Sequence, residues 1–227
     1  MQKSLKVAIL RFPGTNCEFD TRYAFEKLGH ETLLVWHENK SLPEAIDLVV
    51  VPGGFSYGDY LRSGAIARFS PVMEAVKAYA GQGGKVLGIC NGFQILTEAG
   101  LLPGALKRNN NLHFISKHQT LKVVNNDNAF LNRCEKNEVL NIPIAHADGN
   151  YYIDDKGLAE LEANGQILLR YCDEEGNPVV VNGSVNSIAG VCNATKSVFG
   201  LMPHPERALE TILGSEDGIK MLKGFEA

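Results

Sequence analysis

The chain has 227 residues, of which 44% are hydrophobic and 21% are charged. This composition excludes an intrinsically disordered chain, and the absence of any sequence period excludes a collagen-like one. The length suits one domain whose core needs no disulfides. Twenty-six acidic residues against 22 basic ones give a formal net charge of −4, without any basic block. We therefore expect no nucleic-acid partner.

The sequence also argues against membrane insertion and secretion. Its longest core-like stretch, Ile46–Pro52, is far shorter than the roughly 18 residues of a membrane span. The first five residues, M-Q-K-S-L, lack the apolar region of a signal peptide. We expect a cytoplasmic protein with reduced thiols and no zinc-type ligand spacing, because its cysteines are odd in number and scattered. They are Cys17, Cys90, Cys134, Cys172 and Cys192.

The first hundred residues alternate short apolar segments with segments of helical spacing. Such alternation predicts an α/β fold, in which an open, mostly parallel twisted sheet has helices on both faces, as in flavodoxin-like proteins. The predicted strands are Lys6–Leu10, Thr32–Trp36, Ile46–Val51 and Lys85–Ile89, and the predicted helices are Glu18–Leu28, Met73–Ala80 and Gly92–Ala99.

The second half is richer in strands, and we expect it to complete the same sheet with an antiparallel section. We find no linker or repeat, so residues 1–227 are predicted to form a single domain. The predicted strands are Gln119–Val124, Val139–Ile144, Gln166–Tyr171, Ser187–Val191 and Val198–Met202, and the predicted helices are Leu158–Asn164 and Glu216–Phe225.

The sharpest motif is G-I-C-N-G, in which Cys90 lies between Gly88 and Gly92. It follows a predicted buried strand and opens a helix, which is the thiol version of the nucleophile elbow. Small residues two positions before and after let the backbone close tightly, and the helix N-terminus favours the thiolate. Alternatively, Cys90 is only a buried apolar residue.

A thiol nucleophile needs a base, and the base needs an orienting acceptor. The motif L-M-P-H-P-E offers His204 and Glu206 at the end of a predicted strand. Two flanking prolines are expected to hold the segment extended, so that the two side chains point to the same side. The alternative is a proline-rich surface turn with a solvated histidine.

A third motif, P-G-G-F-S-Y-G-D, follows another predicted strand. Backbone N–H groups near Gly54, together with Asn91 next to the candidate nucleophile, would stabilise an oxyanion. An ordinary glycine-rich turn or a phosphate cradle is the alternative, but no G-K-[ST] follows. His146 also follows a predicted strand, and a structural role is as consistent with the sequence as a role at this edge.

Together these motifs resemble the class I, triad-type glutamine amidotransferases, and the resemblance extends from about Leu5 to Phe225. Within that family they look like the glutaminase subunits of phosphoribosylformylglycinamidine synthases. The resemblance implies that Cys90 is the nucleophile, His204 the base and Glu206 its orienting partner. It also implies an oxyanion role for Gly54 and Asn91, and substrate binding by Gln94 and Gly53. The matching segments are Arg11–Asp20, Gly53–Arg68, Gly88–Gln94 and Gly200–Arg207.

The resemblance implies hydrolysis of glutamine to glutamate and ammonia through a thioester. The ammonia would pass to a large synthetase subunit that uses ATP and Mg²⁺ to convert formylglycinamide ribonucleotide to the amidine in purine biosynthesis. A small third subunit would join them, and this chain itself would need no cofactor or metal. We further expect that docking activates the glutaminase and that the Phe55–Arg68 loop gates the site.

Two segments depart from the family pattern. Where the family has H-G-E-G-N-F, this chain has H-A-D-G-N-Y, with Ala147 and Asp148 as the changes, and Ser63 replaces a cysteine. Two other functions compete with the one that the resemblance implies. A flavodoxin-like cysteine peptidase or glyoxalase-type enzyme usually has a histidine close to the cysteine, where this chain has Asn91. A non-catalytic regulatory relic would be expected to lose one of the three triad residues.

Overall fold

The structure is a computed structural model that describes residues 4–226. Residues 1–3 of the leading segment discussed above lie outside that range. The strands are β1 Lys6–Arg11, β2 Glu31–Trp36, β3 Leu48–Val51, β4 Lys85–Ile89, β5 Ala105–Lys107, β6 Ile115–Val123, β7 Val139–His146, β8 Asn150–Tyr152, β9 Ile167–Tyr171, β10 Ile188–Cys192 and β11 Val198–Leu201. The α-helices are α1 Glu18–Lys27, α2 Pro71–Gly81, α3 Asn91–Glu98, α4 Asp155–Ala163 and α5 Gly218–Leu222.

Nine strands form one sheet in the order β2-β1-β3-β4-β11-β10-β9-β6-β7. The first five run parallel, and each remaining strand pairs antiparallel with its neighbour. The predicted parallel half and antiparallel second half are therefore confirmed. A separate two-stranded sheet joins β5 to β8, and it was not predicted because three-residue strands are too short to show alternation.

The right-handed connections between parallel strands place helices on both faces of the sheet. The unit β1-α1-β2 and the unit β3-α2-β4 step in opposite directions along the strand order. Because parallel connections are right-handed, α1 and α2 lie on opposite faces. Strands β3, β4 and β11 are buried along nearly their whole length, as expected for a sheet covered on both sides.

Several predicted boundaries are wrong. Helix α2 begins two residues before the predicted Met73–Ala80, because a proline is well suited to the first helical turn. The predicted helix over Glu216–Phe225 is α-helical only in α5 and then tightens into a 3₁₀ turn. There Gly224 lies against the backbone of Phe130, where a Cβ atom would come within 2.2 Å of the carbonyl oxygen.

The sheet brings the predicted motifs to one edge. Strands β3, β4 and β11 are parallel, so their carboxyl ends meet there. Four antiparallel steps farther along the sheet, β7 points in the same direction and ends at that edge too. Among residues 4–226, no helix combines the length and the apolar character that crossing a membrane requires.

Candidate active site

Cys90 occupies the tight turn between β4 and α3. Its φ of 50° and ψ of −107° are uncommon for a residue with a side chain. Its backbone N–H donates to the carbonyl of Leu201, 2.8 Å away, which ties the turn to β11. A Cβ atom at Gly92 would lie 1.8 Å from the carbonyl oxygen of Val51, so only glycine fits there. The predicted elbow geometry is therefore confirmed.

His204 and Glu206 form a buried pair, and each is only 2% exposed. The Nδ1 atom of His204 lies 2.6 Å from Oε1 of Glu206. The backbone between them is not extended, as the prolines suggested, but forms a 3₁₀ turn over Pro205–Arg207. A proline at the first helical position favours this turn, which brings the carboxylate back under the ring.

The buried pair controls the charge of the imidazole. Burial by itself lowers the pKa of His204, but the negative charges of Glu206 and Cys90 outweigh it and raise that pKa to about 10. The Nε2 atom of His204 is buried, and among the described residues it has no hydrogen-bond partner. Because Nδ1 is engaged by Glu206, Nε2 remains for the thiol. A protonated imidazole beside a thiolate is the resting state that a cysteine hydrolase needs.

A cavity of about 190 Å³ opens in front of Cys90. The Sγ atom lies 3.6 Å from the carbonyl oxygen of Ala145, the penultimate residue of β7. Glu206 is not part of the cavity wall and lies behind the imidazole. The cavity is lined by Asn16, Cys17, Gly54, Phe55, Cys90, Phe114, Ala145, His204 and Arg207.

The candidate oxyanion donors lie on two sides of the nucleophile. Gly54 has a φ of 140° and forms an isolated β-bridge with Thr15. The hydrogen bond at this bridge is donated by the backbone N–H of Phe55 to the carbonyl oxygen of Gly14. The amide of Gly54 is therefore not used by that bridge. Asn91 is the first residue of α3, where a backbone N–H has no partner within the helix.

The side chain of Asn91 has a different task. Its Oδ1 accepts the backbone N–H of Ser56 at 3.0 Å, and its Nδ2 donates to Oε1 of Gln94 at 2.8 Å. Any contribution of Asn91 to an oxyanion must therefore come from its backbone amide. The oxyanion roles of Gly54 and Asn91 remain predictions.

The two predicted substrate-binding residues lie in different surroundings. Gly53 backs the triad, since a Cβ there would lie 2.9 Å from Cε1 of His204 and 3.4 Å from Cβ of Cys90. Gln94 is buried outside the cavity wall, and its Nε2 donates to the carbonyl oxygen of Asp148 at 2.7 Å. Glutamine binding by either residue therefore also remains a prediction.

The structure adds two residues that sequence reasoning did not assign to the site. Cys17 is 3% exposed and lines the cavity, and Nη2 of Arg207 lies 3.2 Å from its sulfur. Burial, followed by the charge of Glu206, raises the pKa of the Cys17 thiol well above its usual range. The sequence signal that could have placed Cys17 in the site is the segment R-F-P-G-T-N-C. It continues from the end of β1 and so reaches the same edge of the sheet as Cys90.

Candidate metal ligands also meet here. Within residues 4–226, ligand atoms of Cys17, His204 and Glu206 all lie within 4.8 Å of one another. The guanidinium of Arg207 beside Cys17 places a positive charge against this set, which opposes a cation. His204 and Glu206 are moreover already paired with each other. The donor set therefore fits a hydrolytic triad better than a metal centre.

His146 is buried near the site, in the segment that departs from the family pattern. Its Nδ1 atom lies 3.2 Å from Oδ1 of Asn109. Burial, together with the charge of His204, lowers the pKa of His146 to about 4. A neutral, hydrogen-bonded histidine in this position agrees with the structural role considered from the sequence.

Comparison with known proteins agrees with this geometry. A family model described as a CobB/CobQ-like glutamine amidotransferase domain matches residues 4–218. Subunit PurQ of phosphoribosylformylglycinamidine synthase from Sulfurimonas denitrificans is 68% identical, over 97% of this chain and 99% of the relative. The same subunit from Campylobacter jejuni is 62% identical, over 97% of this chain and 96% of the relative.

Solved structures show the same fold. A chain in the structure of PurLQS from Thermotoga maritima has a TM-score of 0.87 and 43% identity, with 98% of each chain covered. A glutamine amidotransferase from the same organism has a TM-score of 0.59 at 16% identity, over 92% of this chain and 80% of that one, which shows the fold alone. On the extent of the family match and the identity of its relatives, the chain belongs to the CobB/CobQ-like glutamine amidotransferase family.

Proposed function

We propose that Cys90, His204 and Glu206 hydrolyse glutamine in the glutaminase subunit of phosphoribosylformylglycinamidine synthase. The observation that carries this assignment is the strained elbow cysteine, which lines the same cavity as a buried histidine that is itself paired with a carboxylate. Relatives of 62–68% identity that bear this subunit's name support the reaction. We also treat the whole chain as one amidotransferase domain, because nine of the eleven strands in residues 4–226, the first and the last among them, form a single sheet.

In the first half of the reaction, the Cys90 thiolate attacks the side-chain amide carbon of glutamine. The carbonyl oxygen becomes an oxyanion, which the backbone amides of Gly54 and Asn91 receive. His204 then gives its proton to the leaving nitrogen, so that ammonia departs and a thioester remains on Cys90. Loss of one oxyanion donor would cost about 3–4 kcal/mol of activation free energy.

In the second half, water hydrolyses the thioester. His204, now neutral, takes a proton from the water, and the hydroxide attacks the thioester carbon. Collapse releases glutamate, and the proton on His204 restores the starting ion pair with Cys90. Throughout, the Glu206 carboxylate accepts a hydrogen bond from Nδ1–H of His204. This bond fixes the tautomer and the orientation of the ring, so that Nε2 faces the reacting atoms.

The chain works with protein partners rather than alone. Its relative in Thermotoga maritima was solved as PurLQS. We infer that this chain docks on a large synthetase subunit, together with a small third subunit, and that the synthetase uses ATP and Mg²⁺ to attach the ammonia to formylglycinamide ribonucleotide. This chain contributes no cofactor to that step, and the complex works in the cytoplasm.

Glutamate and ammonia release by the assembled complex tests the triad. The glutamate that wild-type complex releases should equal the free ammonia plus any amidine product, and Cys90→Ala should abolish all three. Cys134→Ala is the matched control, since Cys134 is also buried but does not line the cavity, and should retain activity. Equal glutamine turnover in wild type and Cys90→Ala would refute the assignment. None of the relatives described above supports the peptidase-like or regulatory alternatives.

A further inference from the structure

One serine hydroxyl connects two segments that border the active site. Ser63 is 8% exposed, and its Oγ donates to Oδ2 of Asp148 at 2.9 Å. Asp59, four residues earlier in the same loop, accepts instead from Nδ2 of Asn91 at 3.3 Å. Asp59 belongs to the turn that follows Gly54, and Asp148 follows β7. The serine therefore joins the oxyanion loop to the segment after β7.

The connection closes into a ring through helix α3. The side-chain amide nitrogen of Asn91 donates both to Oδ1 of Asp59, at 3.3 Å, and to Oε1 of Gln94, at 2.8 Å. Gln94 in turn donates to the carbonyl oxygen of Asp148. The ring thus passes from Ser63 through Asp148, Gln94 and Asn91 to Asp59, and the backbone of residues 59–63 closes it. Three segments that surround the nucleophile are held together by a few hydrogen bonds.

The charge of Asp59 bears on this arrangement. Ser63 has a single hydroxyl proton, which it donates to Asp148. Asp59 is tied to α3 through Asn91. Burial, and then the charge of Asp148, raises the pKa of Asp59 to about 6. The neighbouring cation Arg62 is bound by Glu98 at 2.6 Å, away from this pair.

We propose that Ser63 is a positioning residue for glutamine hydrolysis, whose hydroxyl, bonded to Asp148, sets the spacing between the oxyanion loop, the start of α3 and the segment after β7. This inference rests on the proposed function, since it concerns the shape of the glutamine site. Ser63 and Asp148 are direct partners in the ring.

Kinetics of glutamate release by the assembled complex test the positioning role. Ser63→Ala should raise KM for glutamine about tenfold, the equivalent of one hydrogen bond to a charged group, and change kcat much less. The matched control is Ser197→Ala, because Ser197 is equally buried and hydrogen-bonded but precedes β11 at the opposite edge of the sheet. An unchanged KM in Ser63→Ala, with wild type active, overturns the positioning role and leaves the glutaminase standing.

Asp59→Asn supplies a readout that does not depend on catalysis. Its amide oxygen would accept from Asn91 at every pH, and its side chain would stay neutral, as the protonated acid is. The native state holds the Asp59 proton up to about pH 6, whereas an unfolded chain releases it near 3.8. Wild type should therefore lose free energy of unfolding, relative to Asp59→Asn, as the pH rises from about 4 through 6.

The two readouts separate the possible failures. A difference in unfolding free energy between wild type and Asp59→Asn that does not vary from pH 4 to 7 overturns the ring, whatever the enzyme activity. If wild-type complex releases no glutamate, the proposed function fails, and the unfolding curves alone decide whether the ring exists. Parallel changes in Ser63→Ala and Asp148→Ala, with no further loss in the double variant, would support it.

Discussion

At the scale of single residues, the site is organised by charge in a buried space. A histidine buried alone would lose its positive charge, as His146 does. His204 keeps its charge because Glu206 is 2.6 Å from Nδ1 and Cys90 adds a second negative charge. The same burial keeps Cys17 protonated. Of the two cysteines that line the cavity, Cys17 is therefore unsuited to act as a thiolate nucleophile.

Glu206→Gln tests the charge on His204 directly. The amide still accepts a hydrogen bond but carries no charge, so the pKa of His204 should fall. We expect kcat for glutamate release to drop at least 100-fold, the lower range for general acid–base catalysis. The alkaline limb of the pH profile of kcat/KM should move to lower pH. Glu160→Gln, on the exposed face of α4, should behave as wild type, and an unmoved alkaline limb in Glu206→Gln would contradict this account.

The two cavity cysteines should differ in reactivity. Burial raises the pKa of Cys17, so it remains a thiol at neutral pH, whereas Cys90 lies at the start of helix α3 and lines the cavity beside His204. Brief treatment with iodoacetamide followed by peptide mass spectrometry should find the label on Cys90. Cys17→Ser should retain glutaminase activity within about tenfold, as expected for the loss of one weak hydrogen bond. Faster labelling of Cys17 than of Cys90 would contradict the assignment.

At the scale of secondary-structure elements, the close approach of α3 to β3 fixes the nucleophile. Gly92 in the first turn of α3 touches the end of β3, and Gly88 in β4 lies against Gly92. The helix can therefore start immediately after Cys90. Any side chain at Gly92 would push α3 away from the sheet and move the thiol with it.

Gly92→Ala should destabilise the fold, although alanine is the better helix former. A Cβ atom there would overlap the carbonyl oxygen of Val51, and overpacking of this kind costs about 1–3 kcal/mol. Gly81→Ala is the matched control, since Gly81 ends α2 with nothing near its Cβ position, and should be neutral or slightly stabilising. Urea unfolding measures both. Equal free energies of unfolding for the two variants would contradict the packing argument.

The same elements show how far sequence reasoning reaches. Strand β4, the elbow and the pair formed by His204 and Glu206 were predictable, because each has a strong local pattern of apolar runs, glycines or charged residues. The 3₁₀ turn at Pro205 was not, because prolines are compatible with both an extended chain and a first helical turn.

The cavity position of Cys17 and the ring through Ser63 were also out of reach. Cys17 lies far along the chain from Cys90, and only the topology brings β1 and β4 to the same edge. The partnership of Ser63 with Asp148 joins residues 85 positions apart, and no local pattern records such a pairing. Sequence reasoning treated Ser63 and Asp148 as two unrelated positions, whereas the fold brings them into contact.

At the scale of the whole molecule, solvent-exposed apolar side chains border the opening of the cavity. Phe55 and Phe114 line it and are about half exposed, at 46% and 51%. Nearby in the chain, Tyr60 is 75% exposed and Leu61 is 90% exposed. Exposed apolar clusters commonly mark contact surfaces, and this one borders the site whose ammonia must not escape. It is the surface on which we expect the synthetase subunit to dock.

Docking there would act on the loop that carries Gly54. Tyr57, Asp59 and Leu61 all have positive φ values, which are costly for residues with side chains. A partner that contacts this loop could therefore shift it between arrangements of similar energy. We therefore expect a glutaminase whose rate depends on its complex.

The most direct test is glutamate release from glutamine, measured for wild type and Cys90→Ala. Each is assayed alone and with the synthetase subunits, nucleotide and formylglycinamide ribonucleotide. We expect wild-type activity that rises when the complex and its ligands are present, and no activity in Cys90→Ala under either condition. Wild-type turnover that is equal with and without the partners would contradict the gating. An absence of glutamine turnover in every condition, from folded protein, would contradict the function itself.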